Sequence, residues 1–155
     1  SQLRTPVDAK LFTINNIAPQ AINTPARAIF IYTNSSDKAK IAALEAKGAT
    51  VIQLSTDDEN GQVNLNAMLQ DLAQREVNEL HVEAGATLNG ALMAAGLGDE
   101  FLVYLAPKLL GPGRSMLDVP ALNDLNPTLA LEFKSVTTVG EDIRLLVRVS
   151  GRDKF

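Results

Sequence analysis

One stretch of the chain combines the residue types that ligand chemistry needs: Val82-Glu83-Ala84-Gly85-Ala86-Thr87-Leu88-Asn89-Gly90-Ala91-Leu92. Residues 80–82 are mostly apolar and predict a buried strand. Ala84-Gly85-Ala86 is a turn of small residues, and Thr87 has the side chain of a helix N-cap. Residues 88–95 are good helix formers, closed by Gly96. Strand, glycine turn and helix N-terminus together suit an anion. The first amides of a helix have no partners inside it, and the helix dipole adds partial positive charge there. A glycine lets the backbone approach a phosphate with no Cβ in the way. Glu83 stands at the carboxyl end of the predicted strand, where open α/β sheets place their ligands, and it can accept hydrogen bonds from substrate hydroxyl or N–H groups. The competing reading is structural. Many strand-to-helix turns bind nothing, Thr87 serves as a cap in any case, Asn89 can be a solvated residue and Glu83 a surface carboxylate.

Two named phosphate signatures fail here. Gly85 and Gly90 have the spacing of a P-loop, but Ala91 and Leu92 stand where its Lys and Ser/Thr belong. Without that Lys no side-chain cation meets a β/γ-phosphate, which argues against an NTPase. The dinucleotide fingerprint Gly-x-Gly-x-x-Gly fails at its middle glycine, which is Thr87. Among the other candidates, His81 alternates with Leu80 and Val82, and no acid or hydroxyl partner can be assigned to it, so packing is expected. Lys108 could meet a phosphate, but a lone loop Lys is expected in solvent. Asp57-Asp58-Glu59 lacks the alternating ligand spacing of a calcium loop and reads as a solvated loop.

The elements that would position these residues alternate. Residues 26–33 predict a strand, Asn34-Ser35-Ser36-Asp37 a cap cluster, and 38–47 a helix ended by Gly48. Residues 50–54 predict the next strand, 55–61 an acidic loop, 65–75 an amphipathic helix and 78–83 a third strand. Such alternation predicts a parallel sheet with covering helices. After the central motif the pattern changes. Residues 100–107 predict a strand running into the breakers Gly111-Pro112-Gly113 and a loop through Arg114-Ser115. Residues 129–139 and 143–149 predict strands joined by a Gly140-Glu141-Asp142 hairpin turn. Residues 1–149 are thus expected as one α/β domain, and 150–155 as a fraying polar tail.

Composition narrows the function classes. The 155 residues are 46% hydrophobic, enough for a core in one domain. With Cys 0 and His 1, disulfides, thiolate metal sites and multi-histidine sites are excluded, which fits a cytoplasmic protein. A net charge of −4 with no Lys/Arg cluster argues against a nucleic-acid surface. No long apolar span predicts a membrane helix, and Ser1 opens no signal peptide.

Residues 82–92, together with Gly96-Leu97-Gly98-Asp99-Glu100 and Tyr104-Leu105-Ala106-Pro107-Lys108-Leu109-Leu110-Gly111, resemble the reductase half of the bifunctional riboflavin-biosynthesis deaminase–reductase. The resemblance is close over 78–111 and weaker through Ser1 to Pro6 and the strands after Leu129. It implies a dihydrofolate-reductase-like α/β sandwich, a mostly parallel sheet with a C-terminal antiparallel hairpin. It implies NADPH-dependent reduction of 5-amino-6-(5-phosphoribosylamino)uracil to its ribitylamino product, hydride passing to the ribose C1′ of an opened, imine-like form. By the same resemblance Glu83 contacts substrate, while Ser1, Gly85, Ala86, Thr87, Leu88, Asn89, Gly90 and Ala91 contact the cofactor. No catalytic residue is assigned. A frayed terminus is the plainer reading of Ser1. The partners implied are a phosphorylated pyrimidine and a second copy of the chain, with Leu145 to Val149 as an exposed edge strand for pairing.

Family members also carry a zinc deaminase with a His and two Cys ligands, chemistry absent from these residues. The family's reductase half begins before the equivalent of Ser1, with strands that complete the cofactor and phosphate sites. The chain is therefore expected to be part of that domain, and its own turnover is in question. The alternative is a non-catalytic structural or dimerisation piece.

Overall fold

In the computed structural model the residues described are 3–16, 28–56, 61–119 and 129–152. The chain forms two compact units, Ser1–Glu79 and Leu80–Phe155.

The first unit is built on a parallel pair, β1 (Ile29–Thr33) and β2 (Ala49–Gln53), in register from Ile29 opposite Ala49 to Thr33 opposite Gln53. Helix α1 (Lys38–Glu45) connects them, as parallel neighbours require a crossover. Its start is the predicted cap cluster. Asp37 is extended and its carboxylate accepts from the Lys40 amide at 3.0 Å. Gly48, at φ 89°, lets the chain leave α1 for β2. Leu44 at 0% exposure anchors a core with Leu3, Phe12 and Ala49, and Ile29, Ile31, Ile41 and Val51 pack around it. A 3₁₀-helix, Lys10–Asn16, which no local pattern predicts, brings Phe12 to this core. Leu3 joins it at φ 49°. That backbone region costs about 1–2 kcal/mol for a residue with a Cβ, and burying the leucine side chain, roughly 1.5–3 kcal/mol, offsets it.

Helix α2 (Leu65–Gln74) follows, with Asn64 accepting from the Ala67 amide at 2.8 Å. It ends at Glu76, which takes φ 64° without being glycine, while Val77 donates back to the Leu72 carbonyl. Asp71 of α2 is held by Tyr32 of β1 at 2.7 Å and by Arg75 Nε at 2.7 Å, and the Arg75 guanidinium lies 4.7 Å over the Phe30 ring.

The second unit begins differently from the expectation. Residues 78–83, predicted as a third strand, form no ladder with any described residue. A strand needs a partner to take its amides and carbonyls. Here Leu80 and Val82 stay 44% and 39% exposed, so alternation alone did not make one. The parallel sheet is accordingly the β1–β2 pair, and the larger sheet is antiparallel. Helix α3 (Ala86–Ala94) comes next, ended by Gly96 at φ 66°, with Gly96 donating to Met93 and Leu97 to Leu92.

Strands β3 (Glu100–Leu105), β4 (Leu131–Val139) and β5 (Asp142–Val149) form the antiparallel sheet in the order β3-β5-β4. The hairpin turn falls at Gly140, φ 61°, as predicted. Leu145 to Val149 therefore sit in the central strand, paired on both sides, and not on an edge. The ladders on its two sides consume the backbone groups that edge pairing would need. A register shift between Phe133 and Ser135 inserts Lys134 as a bulge. Phe133 and Val136 are three positions apart and would otherwise face opposite ways; the bulge sets them opposite Val147 and Leu145 on one face. That face is apolar along all three strands, with Phe101 and Val103 beside Val147 and Leu145. Residues 150–152, expected to fray, are tied down: Ser150 donates to Ala130, and Arg152 bridges Asp99 at 2.7 Å and reaches the Gly96 carbonyl.

Candidate functional site

The turn and first helical residues of the central motif lie together in the second unit. Gly85 is the N-cap of α3, extended at φ −80° and ψ 171°, and no side chain caps the helix. Thr87, expected as the cap, is instead the second helical residue. The amides of Ala86, Thr87 and Leu88 head the helix and fall outside its ladder, which starts with Asn89 donating to Gly85 at 3.1 Å. Thr87 and Leu88 are exposed beside them.

The two glycines of the motif do opposite things. A Cβ built on Gly85 would meet no described residue within 4 Å beyond its chain neighbours, so neither backbone strain nor packing among the described residues requires glycine there. A Cβ on Gly90 would stand 2.7 Å from the Asp118 carbonyl carbon and closer still to its oxygen. Gly90 is a packing glycine: it lets residues 116–118 lie against α3. The Asp118 amide donates to the Ala86 carbonyl at 3.0 Å, and Asn89 Nδ2 donates to the carbonyls of Ala84 at 3.2 Å and Met116 at 3.3 Å. Asn89 is thus engaged with the chain, not merely solvated. Ala91 lies in the second turn, half-buried, past the open amides.

Glu83 directly precedes the 84–86 turn, its side chain 88% exposed. Its Oε1 lies 3.5 Å from His81 Nε2, on a side chain 67% exposed. On an extended backbone residues two apart share a side, so the acid that the sequence reading could not assign to His81 was its own near neighbour. His81 is not packed. Lys108 is exposed as expected, in a loop where Leu109 and Leu110 are also exposed. Ser1, and Asp57-Asp58-Glu59, lie outside the described residues. Among the described residues no group of three or more His, Cys, Asp or Glu is placed to hold a metal ion, and no helix is long and apolar enough to cross a membrane. A cavity in the first unit, between residues 7–13 and the end of α1, has walls that include Phe12, Asp8 and Lys47 but none of the motif residues.

Comparison with known proteins gives the family. Residues 1–145 match the RibD C-terminal domain family. The chain is 32% identical over 146 residues to the riboflavin biosynthesis protein RibD of Escherichia coli, covering 92% of this chain and 38% of that protein. It is 34% identical over 96 residues to the 5-amino-6-(5-phosphoribosylamino)uracil reductase of Buchnera aphidicola, covering 61% of this chain and 46% of that protein. The chain thus spans less than half the length of either relative. Among solved structures it is similar to Acinetobacter baumannii RibD, with a TM-score of 0.72 at 24% identity over 95% of this chain and 35% of that one. That likeness shows the fold, and the dihydrofolate-reductase-like α/β class expected from the sequence stands. Matched over nearly its whole length, the chain belongs to the RibD C-terminal domain family.

Proposed function

We propose that the chain, whose residues 1–149 form part of a reductase domain, serves the NADPH-dependent reduction of 5-amino-6-(5-phosphoribosylamino)uracil in riboflavin biosynthesis, in the cytoplasm. The observation that carries the reading is the uncapped end of α3 behind Gly85, in a family with a relative named for that reduction. An anion as large as a dinucleotide phosphate needs free amides and a backbone it can approach. The open space over Gly85 offers the approach, and the amides of Ala86, Thr87 and Leu88 the donors. Bound there, NADPH would supply the hydride for the ribose C1′ of the opened substrate. The protein's own part is to bind and orient.

In this reading Glu83 accepts hydrogen bonds from substrate N–H or hydroxyl groups. An exposed carboxylate two residues from a phosphate site repels the cofactor, so its presence needs a compensating partner. A charge-assisted hydrogen bond of roughly 1.5–3 kcal/mol supplies one. Titration of the chain and of Glu83→Gln with NADPH, and with the pyrimidine or a stable analogue, tests the assignment. Substrate affinity should fall about tenfold to a hundredfold while NADPH affinity holds or rises slightly. Unchanged substrate binding with weakened cofactor binding would reverse the roles given to this turn.

A second reading has its own observation. Phe133, Val136, Leu105 and Leu131 remain 69%, 60%, 56% and 46% exposed on the apolar face of the antiparallel sheet. An apolar face of that extent suits a homodimer, formed face to face, since β5 offers no edge. Sedimentation of the parent and of Phe133→Lys should give dimer and monomer; a monomeric parent at high concentration removes this reading.

A further inference from the structure

Residues 116–118 are fastened to the head of α3 at three places. The Asp118 amide donates to Ala86, the Asp118 backbone lies against Gly90, and Asn89 donates to Met116. Asn89 is the member that joins this strap to the turn itself, because its second amide hydrogen goes to Ala84, the residue before the cap. A side-chain amide has two hydrogens, and both are directed at main-chain carbonyls of this chain. What remains is Oδ1, an acceptor, which offers nothing to a phosphate.

We propose that Asn89 is a positioning residue, not a cofactor contact: it clasps the 84–86 turn to the 116–118 strap and so holds the amides of Ala86, Thr87 and Leu88 in a fixed, outward-facing set. The inference rests on the phosphate reading of that helix end. The logic is one of preorganisation. Gly85 has no side chain to anchor the turn, a Cβ added there would touch no other described residue beyond its chain neighbours, and α3 has no side-chain cap. A glycine turn of that kind samples many conformations when nothing restrains it, and ordering it on ligand binding lowers affinity. The Asn89 clasp supplies the restraint from inside the helix, leaving the outer side of the turn open. Asn89 and Met116 are 27 positions apart, so no local pattern signals the contact.

The experiment measures hydrogen exchange and NADPH affinity of the full chain in parallel, for the parent, Asn89→Leu and Asn89→Gln. Leu fills the same space without donors, and Gln keeps two donors on a longer stem. In Asn89→Leu the Asp118 amide should exchange at least about tenfold faster while the β3–β5 ladder amides keep their protection, and NADPH should bind about threefold to tenfold more weakly. Asn89→Gln should recover part of both. Unchanged Asp118 protection in Asn89→Leu overturns the clasp. Lost protection with parental NADPH affinity overturns the positioning role. A parent that binds no NADPH overturns the phosphate reading and the positioning role with it, while the exchange data still decide whether Asn89 holds the strap.

Discussion

The helices of the two units begin in contrasting ways. In the first unit α1 is closed by Asp37 and α2 by Asn64, each side chain taking an amide three residues on. In the second, α3 starts at Gly85 with no side-chain cap. All three caps are extended, at φ −69°, −63° and −80°, so the difference is chemical and not conformational. An Asp would fit at position 85 as well as it does at 37. The loop after β1 shows the same inward economy: Gln53 donates to the Ser35 carbonyl, the Ser35 amide to Thr33 Oγ1 and Asn34 Nδ2 to the Gly61 carbonyl. Polar groups around β1 and α1 serve the fold. The amides at the head of α3 meet no capping side chain, and residues 116–118 lie against this helix end at Gly90, Asn89 and the Ala86 carbonyl.

Gly85→Asp erases the contrast. It should give α3 the cap that α1 has, raising stability by a few tenths to about 1 kcal/mol. It should also weaken NADPH binding about a hundredfold or more, since like charges roughly 4 Å apart in a partly wet site repel by a few kcal/mol. Chemical denaturation and NADPH titration of one preparation read both effects. A variant that is stabilised yet binds as the parent does would mean that the phosphate sits elsewhere.

Comparing the two glycines sharpens the point. Gly90→Ala drives a methyl into the Asp118 main chain, which cannot swing aside as a side chain would. It should lower stability by about 1–3 kcal/mol. Gly85→Ala meets open space and should cost less than about 1 kcal/mol, the deficit of Ala at an N-cap. Equal urea midpoints for the two variants would refute the separation of a packing glycine from an approach glycine.

Legibility in the sequence followed the range of the interaction. The Asp37 cap, the Gly48 and Gly96 helix ends and the Gly140 hairpin were readable because each is decided within a few residues. The cap of α3 was misread by two positions, since Thr87 has a capping side chain while Gly85 has none, and composition does not reveal which residue the chain leaves extended. Residues 78–83 carried a strand pattern, but a strand also needs a partner, and pattern does not name one. The bulge at Lys134 was missed although its sign was present: apolar residues at 131, 133 and 136 break a period of two. The central place of β5 and the clasp of Asn89 depend on residues far along the chain, and no local rule reaches them. Of the site, the turn and its glycines were legible, while the division of labour between Gly85 and Gly90 was not.

The smallest expected effect concerns the closed side of the comparison, the Tyr32–Asp71–Arg75 cluster that joins α2 to β1. The Arg75 guanidinium, then the Tyr32 hydroxyl, hold the Asp71 carboxyl below the usual range. Burial, then the bond to Asp71, pushes the Tyr32 phenol up to about 12. The signs follow from linkage. Asp71 has a depressed folded value, so its contribution is present above the ordinary carboxylate value near 4 and is lost as pH falls through the folded one. Tyr32 has a raised folded value, so its contribution is full below the ordinary phenol value near 10 and is lost as pH rises from there through about 12. At neutral pH both are present. Tyr32→Phe should therefore lower stability at pH 7 by no more than about 0.5–1 kcal/mol, a hydrogen bond discounted for partial exposure, and should flatten the alkaline limb. Asp71→Asn should flatten the acid limb below about pH 4 and leave part of the alkaline limb, because burial of the phenol persists without the carboxylate. Neither variant should alter NADPH affinity, since both lie in the first unit, where Tyr32, Asp71 and Arg75 bond to one another. Urea midpoints from pH 2 to 11, with one NADPH titration at neutral pH, decide it. A cofactor response to Tyr32→Phe would show that the two units are not as separate in purpose as their helix ends imply.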